Sequence, residues 1–407
     1  RCPELYDSDE LSFPEYMRDR MRHLTATALA VLLSACAAGH EMDVRAPVGA
    51  CASAPNADVA WARPDYEGEQ SRLDDWCSAA GEPVVRQFTS TQVPADAEVV
   101  REASLGGGPV AAGSGSFAAA GIDPIQTLTV ATWNIEVGSG DLVGFLEEEI
   151  GYSCESAPSG NESRIPFVLL VQEAHRASHD IPAIPDGVSL PGAIGKSAVH
   201  ESRADIVEIA ERCDLSLFYA PSMRNGAEGD GETPEDRGNA ILASIPLSEH
   251  AAVELPLETQ RRVAVAALAH PPGREPIRVV SFHFDVAANL LRVITTGNST
   301  RLRQGLGLAR ALDQLDEGDR QVTTIIGGDV NSWSEKESVI RHLAEQFPES
   351  PAATAEGTRG SYPTDHIFLR TLDGSEVSLA QGSYRVVPDE YGSDHRGRVL
   401  TLSFAGE

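Results

Sequence analysis

Apolar residues along this chain fall into short runs separated by polar, glycine-rich or proline-rich stretches. The runs are "LTVATWNI" (128 to 135), "FVLLVQEA" (167 to 174), "RVAVAALA" (262 to 269), "IRVVSFHFD" (277 to 285), "TTIIGGDVN" (323 to 331), "DHIFLR" (365 to 370) and "VLTLSF" (399 to 404). Runs this short, rich in β-branched residues and bounded by turn residues, predict strands. Two segments follow a different period. In "SRADIVEIAERC" (202 to 213) and "STRLRQGLGLARALDQL" (299 to 315) apolar residues recur every three or four positions, which predicts helices. The class is therefore α/β or α+β, with much sheet and outer helices.

Before residue 126 the texture is different. Residues 37 to 55 and 105 to 121 are rich in Ala, Gly and Pro, which suits a tether. Between them "RLDDWCSAAGEPVV" offers Leu73, Trp76 and Val84 as docking residues for a larger body. The expected division is 1–36 for an upstream segment and signal, 37–125 for a tether and extension without its own core, and 126–407 for the folded domain. From Met17 the chain reads "MRDRMRHLTATALAVLLSAC": arginines, a short apolar stretch from Leu24 to Leu33, then small residues. The stretch is too short to span a bilayer. It resembles a bacterial lipoprotein signal, with Leu33, Ser34, Ala35 and Cys36 as the lipobox and Cys36 as the lipidated residue. The expected location is the cell envelope or outside the cell, with membrane attachment through Cys36. Residues 1 to 16 contain no Met, precede the basic region and read as upstream translation or a fragment.

Composition narrows the picture further. The chain has 407 residues, 42% of them hydrophobic, with a formal charge of −29. A sizeable core is available, and the charge opposes tight binding to long nucleic acids without local compensation. Six cysteines are present. Leaving out Cys2 and Cys36, an even set remains, and in an exported protein it suggests disulfides. Nearest-neighbour pairing joins Cys51 to Cys77 and Cys154 to Cys213.

The candidate chemistry sits at strand ends. In "TTIIGGDVNSW" an apolar run stops on Gly327, Gly328, Asp329 and Asn331. Two readings are open: the stretch is an ordinary turn, or the glycines let the backbone turn closely so that Asp329 and Asn331, alternate residues on an extended chain, point to one side. Other strands end in the same way. Asn134, Glu173, His283, Asp365, Asp394 and His395 each stand at or just beyond such a run.

In this order the segments "TWNIE", "VQEAH", "SFHFD", "GGDVN", "TDHIF" and "GSDHRG" resemble the endonuclease/exonuclease/phosphatase, or DNase I-like, superfamily over roughly residues 126 to 405. "RGNAILAS", from Arg237 to Ser244, resembles that family's "GNAILS" segment. The resemblance implies a four-layered sandwich of two packed mixed β-sheets flanked by helices, with the site at the sheets' shared edge. It also implies Mg²⁺, with Mn²⁺ able to substitute, because a phosphodiester anion repels an attacking oxygen until a hard cation offsets the charge. Glu173 is the principal metal candidate, with Asn134, Asp329 and Asp394 beside it. His395 is implied as base or transition-state stabiliser, oriented by Asp394 or a neighbouring aspartate. Asp329 is expected to hold or activate water, Asn331 to donate to the phosphate, and His283 to assist the leaving group or the transition-state charge. Asp365 matches a "DYIF"-like position, with His366 where the family has an aromatic. Which of His395, Asp329 and metal-bound water is the base stays open. Arg237 is a phosphate-binding candidate and Arg262 a weaker one; His175 and His179, close after Glu173, suggest extra metal ligands but read rather as exposed loop histidines.

The expected activity is metal-dependent hydrolysis of a phosphodiester or phosphomonoester by a monomer with no protein partner. The substrate is open among nucleic acid, phospholipid, nucleotide and inositol phosphate. A secreted nuclease is one alternative, weakened by the acidic "NGAEGDGETPED" insert (225 to 236). A catalytically silent surface-binding module is another, although none of Glu173, Asp329 and His395 is missing. A calcineurin-like phosphatase lacks its early Asp-x-His and its Gly-Asn-His.

Overall fold

The computed structural model describes residues 42–45, 59–64, 82–88, 124–154, 165–182, 203–225, 233–257, 260–286, 299–316 and 321–405. The chain divides into Arg1–Glu41 and Met42–Glu407, and the architecture is that of the second unit. The proposed lipobox, the Cys51–Cys77 pairing and most of the acidic insert lie outside the described residues.

The strands form two sheets. The first carries, in spatial order, β1 (Met42–Arg45), β2 (Val59–Pro64), β8 (Leu247–Glu254), β9 (Val263–Ala269), β10 (Ile277–His283), β11 (Thr324–Asp329) and β12 (Asp365–Arg370). The second carries β13 (Val377–Leu379), β15 (Arg398–Phe404), β4 (Thr127–Asn134), β5 (Phe167–Ala177), β7 (Glu235–Ala243), β6 (Ser216–Arg224) and β3 (Val84–Arg86), with β14 (Arg385–Val386) beside β15. Both are mixed: β10 with β11 and β4 with β5 run parallel, whereas β11 with β12 and β15 with β4 run antiparallel. The expected strands are all present. β6 and β8 were not among them, and "RGNAILAS" is itself the strand β7 rather than a lead-in to strands. The stretch before residue 126 supplies β1, β2 and β3, so described parts of the expected extension are sheet strands. Met42–Arg45, inside the expected tether, pairs with β2.

Three cores divide the molecule into layers. Between the sheets, Val130, Leu170 and Ile241 of one meet Val265, Val279 and Ile325 of the other. Outside the second sheet, Trp133, Leu169 and Val171 pack with α1 (Leu142–Phe145), the π-helical turn Leu146–Ile150 and α2 (Ile206–Arg212). Outside the first sheet, Val280, Phe282 and Ile326 pack with α3 (Ser299–Leu315) and α4 (Ser338–Gln346). The order helix, sheet, sheet, helix is the sandwich that the resemblance implied. Both central strands are apolar on both faces because each face meets a different core.

The helices match their periodic signals. Leu308, Ala311 and Leu312 of α3 enter the outer core at spacings of three and four. α2 starts where Asp205 accepts from the N–H groups of Val207 and Glu208. At its other end Cys213 is joined to Cys154 by a disulfide, as expected.

Candidate active site

Strand parity decides which side chains meet. On β4, Leu128 and Val130 enter the inter-sheet core while Ala131 and Trp133 enter the outer one. Continuing that alternation sends Asn134 to the inter-sheet side. The same argument runs from Val279 to His283, from Ile325 to Asp329, back from Ile367 to Asp365, and back from Ile241 to Asn239 and Arg237. Register then aligns His283 with Asp329, and Asp329 with Asp365, across three neighbouring strands. Just below, Gln172 Nε2 reaches Thr132 Oγ1 at 3.1 Å and Ser281 Oγ at 2.9 Å, a polar bridge between the sheets.

Glu173 breaks the alternation. Strict parity would place it with Leu169 and Val171 in the outer core. Instead the register against β7 shifts between Val171 and Ala174, and Glu173 has φ 54°. A bulge of this kind re-aims one side chain. The carboxylate comes to 3.5 Å from Arg237 Nη1 and 3.9 Å from His283 Nδ1.

Asp329 is the centre of the hydrogen-bond network. Asn134 Nδ2 donates to its Oδ2 at 3.0 Å, and the backbone N–H of Asn331 donates to its Oδ1 at 2.7 Å. Asn331 is not on an extended chain, contrary to expectation. β11 ends at Asp329, and Asn331 takes φ 56°, a left-handed turn that an asparagine tolerates. Its Nδ2 donates to Phe284 O at 2.9 Å and stands 3.0 Å from His283 Nε2. That amide therefore anchors His283 rather than standing open to a phosphate.

The aspartate that orients His395 is Asp365. His395 Nδ1 is 2.8 Å from Asp365 Oδ2, and Nε2 faces Asp329 Oδ2 at 3.8 Å and Asp394 Oδ1 at 3.6 Å. Thr364 Oγ1 donates to the same Asp365 oxygen at 2.8 Å. Asp394 lies on the solvent side, 34% exposed, with its carboxylate paired to Arg359. It lines a rim cleft with Glu136, Asp389 and Glu390.

Burial sets the protonation of this group. Burial, and then the charge of Asp365, raise the Asp329 pKa to about 6. Burial alone would lower His395, yet Asp365 and Asp329 outweigh it and raise its pKa to about 10. His395 is thus an imidazolium at neutral pH, with its Nε2 facing the carboxylates of Asp394 and Asp329. For His283 burial acts with the nearby cations Arg262 and His395, so its pKa lies well below the usual range and the ring is neutral.

A crevice beside this network is lined by Glu173, Arg237, Asn239, Arg262 and His283. Arg237 is buried, with Nη2 donating to Met223 Sδ at 2.9 Å. Arg262 is buried too, its Nη2 3.7 Å from Asp285 Oδ1. His175 is no loop residue: it is buried on β5, 3.6 Å from Glu235 Oε2, whereas His179 is exposed in a turn. Sequence reading missed Glu136 and Asn239. Each was legible as the alternate neighbour of a chosen residue, Glu136 of Asn134 and Asn239 of Arg237.

No protein-family model matches the chain, and no curated protein matches it. Solved structures of similar fold include an endonuclease/exonuclease/phosphatase from Beutenbergia cavernae, 17% identical, covering 69% of this chain and 72% of that one with a TM-score of 0.45. An endonuclease/exonuclease/phosphatase from Bacteroides vulgatus is 10% identical over 69% of this chain and 100% of that one, TM-score 0.42. Sphingomyelinase C from Streptomyces griseocarneus is 13% identical over 68% and 99%, TM-score 0.39. Likenesses this distant do not say what the chain acts on; its own residues must.

The donor set fits a hard divalent cation. Ligand-type atoms of Asp329, Asp365 and His395 lie within 4.8 Å of one another, all buried, and with His395 protonated the two carboxylates are what this cluster offers a cation. Asp365 Oδ1 is buried with no hydrogen-bond partner among the described residues. Asp365 is bound to His395, which leaves Glu173, Asn134 and Asp329 as the oxygen donors on the cleft side. Asn134 Oδ1 accepts from Glu136 N at 3.1 Å and keeps a second lone pair.

Proposed function

We propose that the protein is a divalent-cation-dependent phosphoesterase that hydrolyses a phosphodiester by in-line attack of water. The observation that carries this reading is the buried relay Asp365, His395, Asp329 at the shared edge of the sheets, with Glu173 and two arginines beside it. Glu173 and Asn134 would hold Mg²⁺ or Mn²⁺, which would offset the charge of the phosphoryl oxygens. Of the two roles expected of Asp329, proton acceptance suits its surroundings better. A carboxylate with a pKa of about 6 accepts a proton from water more readily than an ordinary one. His395, held by Asp365 and carrying a proton on Nε2, donates to a phosphoryl oxygen as negative charge builds there. Arg237 binds a second oxygen of the ester, since a buried guanidinium is a fixed donor of positive charge. His283 is neutral and held by Asn331, so it serves as a hydrogen-bond donor through Nδ1 rather than as an acid.

The test is turnover of bis(4-nitrophenyl) phosphate by the full chain. Activity is expected with Mg²⁺ or Mn²⁺ and is expected to vanish in EDTA. Glu173→Ala and His395→Ala should each reduce the rate by at least about 10²-fold with the far-ultraviolet circular dichroism unchanged. Turnover that survives metal removal would contradict the mechanism.

A further inference from the structure

Among the described residues, the large apolar side chains left exposed are Trp333 (56%), Tyr362 (52%), Val286 (44%) and Ile165 (41%). Three of these four belong to one edge of one sheet. Val286 follows the end of β10 at His283, Trp333 follows the end of β11 at Asp329, and Tyr362 precedes the start of β12 at Asp365. Those strand ends are aligned, so all three side chains project from the loops that frame the active site. Exposing large apolar groups on a single functional edge marks a contact surface.

Trp333 is also held in place. Arg301, itself buried, lies over its ring with the guanidinium carbon 5.6 Å from the ring centroid. Arg301 donates to Asn331 O at 2.8 Å and to Glu337 Oε2 at 2.6 Å, and Glu337 Oε1 accepts from Trp333 N at 2.7 Å. The neighbouring Ser332 Oγ donates to Pro363 O at 2.5 Å, which ties the Trp333 loop to the segment that carries Tyr362. The indole is therefore a fixed flat surface with more than half of it open, two residues from Asn331 in the site.

We infer that Trp333, with Tyr362 on the adjoining loop, is a stacking platform for a planar ring carried by the phosphoester, as in a nucleotide-like ester. This rests on the phosphoesterase reading and names its substrate class. A rigid aromatic face pre-set beside the site suits a planar group, because stacking needs no reordering of the side chain. A lipid surface is the competing occupant. Trp333 is held against the framework by Arg301 and Glu337, Tyr362 closes only a tight two-residue turn paired with Arg359, and a formal charge of −29 opposes approach to an anionic bilayer. The same charge favours a small ester over a long polyanion.

The test compares thymidine 5′-(4-nitrophenyl phosphate) with methyl 4-nitrophenyl phosphate, which share a leaving group and differ in the base. The full-length protein should prefer the thymidine ester. Trp333→Ala should reduce that preference in kcat/KM about tenfold, chiefly through KM, and Trp333→Phe should keep most of it. Separately, thymidine 5′-monophosphate should quench the tryptophan emission of the unmodified protein and not that of Trp333→Phe. Sphingomyelin vesicles are assayed alongside the two esters; a preference unchanged in Trp333→Ala overturns the inference, and so does a Trp333→Ala loss confined to the vesicles. If the protein turns over neither ester with Mg²⁺, the phosphoesterase reading fails, and quenching alone then decides the platform: its presence supports stacking and its absence overturns it.

Discussion

At the scale of single residues, His366 shows how one side chain can tie stability to pH. It occupies a position where the resembling family carries an aromatic ring, and it is buried on the outer face of β12, 5.9 Å from the Phe368 ring. Its Nε2 lies 2.7 Å from Pro363 O. Burial, reinforced by Arg398, lowers its pKa to about 3. A folded-state pKa depressed below the unfolded value near 6.5 means that the unfolded chain takes up the proton first. This contribution is fully present above about pH 6.5 and is lost as pH falls toward about 3. Between pH 7 and pH 5 it amounts to about 2 kcal/mol. Urea unfolding should therefore show His366→Phe losing less stability than the unmodified chain over that interval, by roughly that amount; equal losses would remove His366 as the cause. The residue scale also marks the limit of reading. Asn134, His283, Asp329 and Asp365 were legible because each continues a period-two pattern to the end of its strand. Glu173 was found by type, but its direction was not legible, because alternation assigns it to the wrong face and only pairing with β7 makes the bulge.

Among the elements, β11 explains its two glycines. They do not make a turn; both lie within the strand. A Cβ on Gly328 would stand 1.9 Å from Phe282 O of the neighbouring strand, and one on Gly327 would meet Leu170 Cδ1 at 2.8 Å and Thr132 Cβ at 3.0 Å across the sheets. Gly328 thus permits close pairing with β10, and Gly327 close approach of the sheets beneath the site. Gly328→Ala should destabilise the fold by about 3 kcal/mol or more, since backbone must move, and Gly327→Ala by about 1 kcal/mol, since a side chain can yield. Chemical denaturation would check the order, and a Gly327 variant worse than the Gly328 variant would refute it. Two of the strands absent from the sequence reading, β6 and β8, have local reasons for that. Pro221 interrupts "SLFYAPSMR", and β6 accommodates it at a register shift between Pro221 and Met223. In β8 the register shifts between Ser248 and Ala251, which blurs the alternation.

For the whole molecule, the Cys154–Cys213 bond joins the loop after the π-helical segment to the C-cap of α2 over a separation of 59 residues. Closing a loop of that size removes unfolded-state entropy worth about 4 kcal/mol in the chain-entropy model. The double replacement Cys154→Ser with Cys213→Ser should lower the denaturant midpoint by an amount corresponding to as much as about 4 kcal/mol, and an unchanged midpoint would show that the bond does not constrain the chain. What the sequence determined by itself was local. Periodicity set the strands and helices, strand-end chemistry named the carboxylates and imidazoles, and parity implied that several of them share a side. What the tertiary structure decided was which of them touch. Asp365 rather than Asp394 orients His395, Asn331 holds His283, Glu173 turns inward, and Trp333 is pinned beside the site. Each depends on a contact between strands or loops far apart in the chain, and such a contact leaves no periodic trace in the sequence on either side of it.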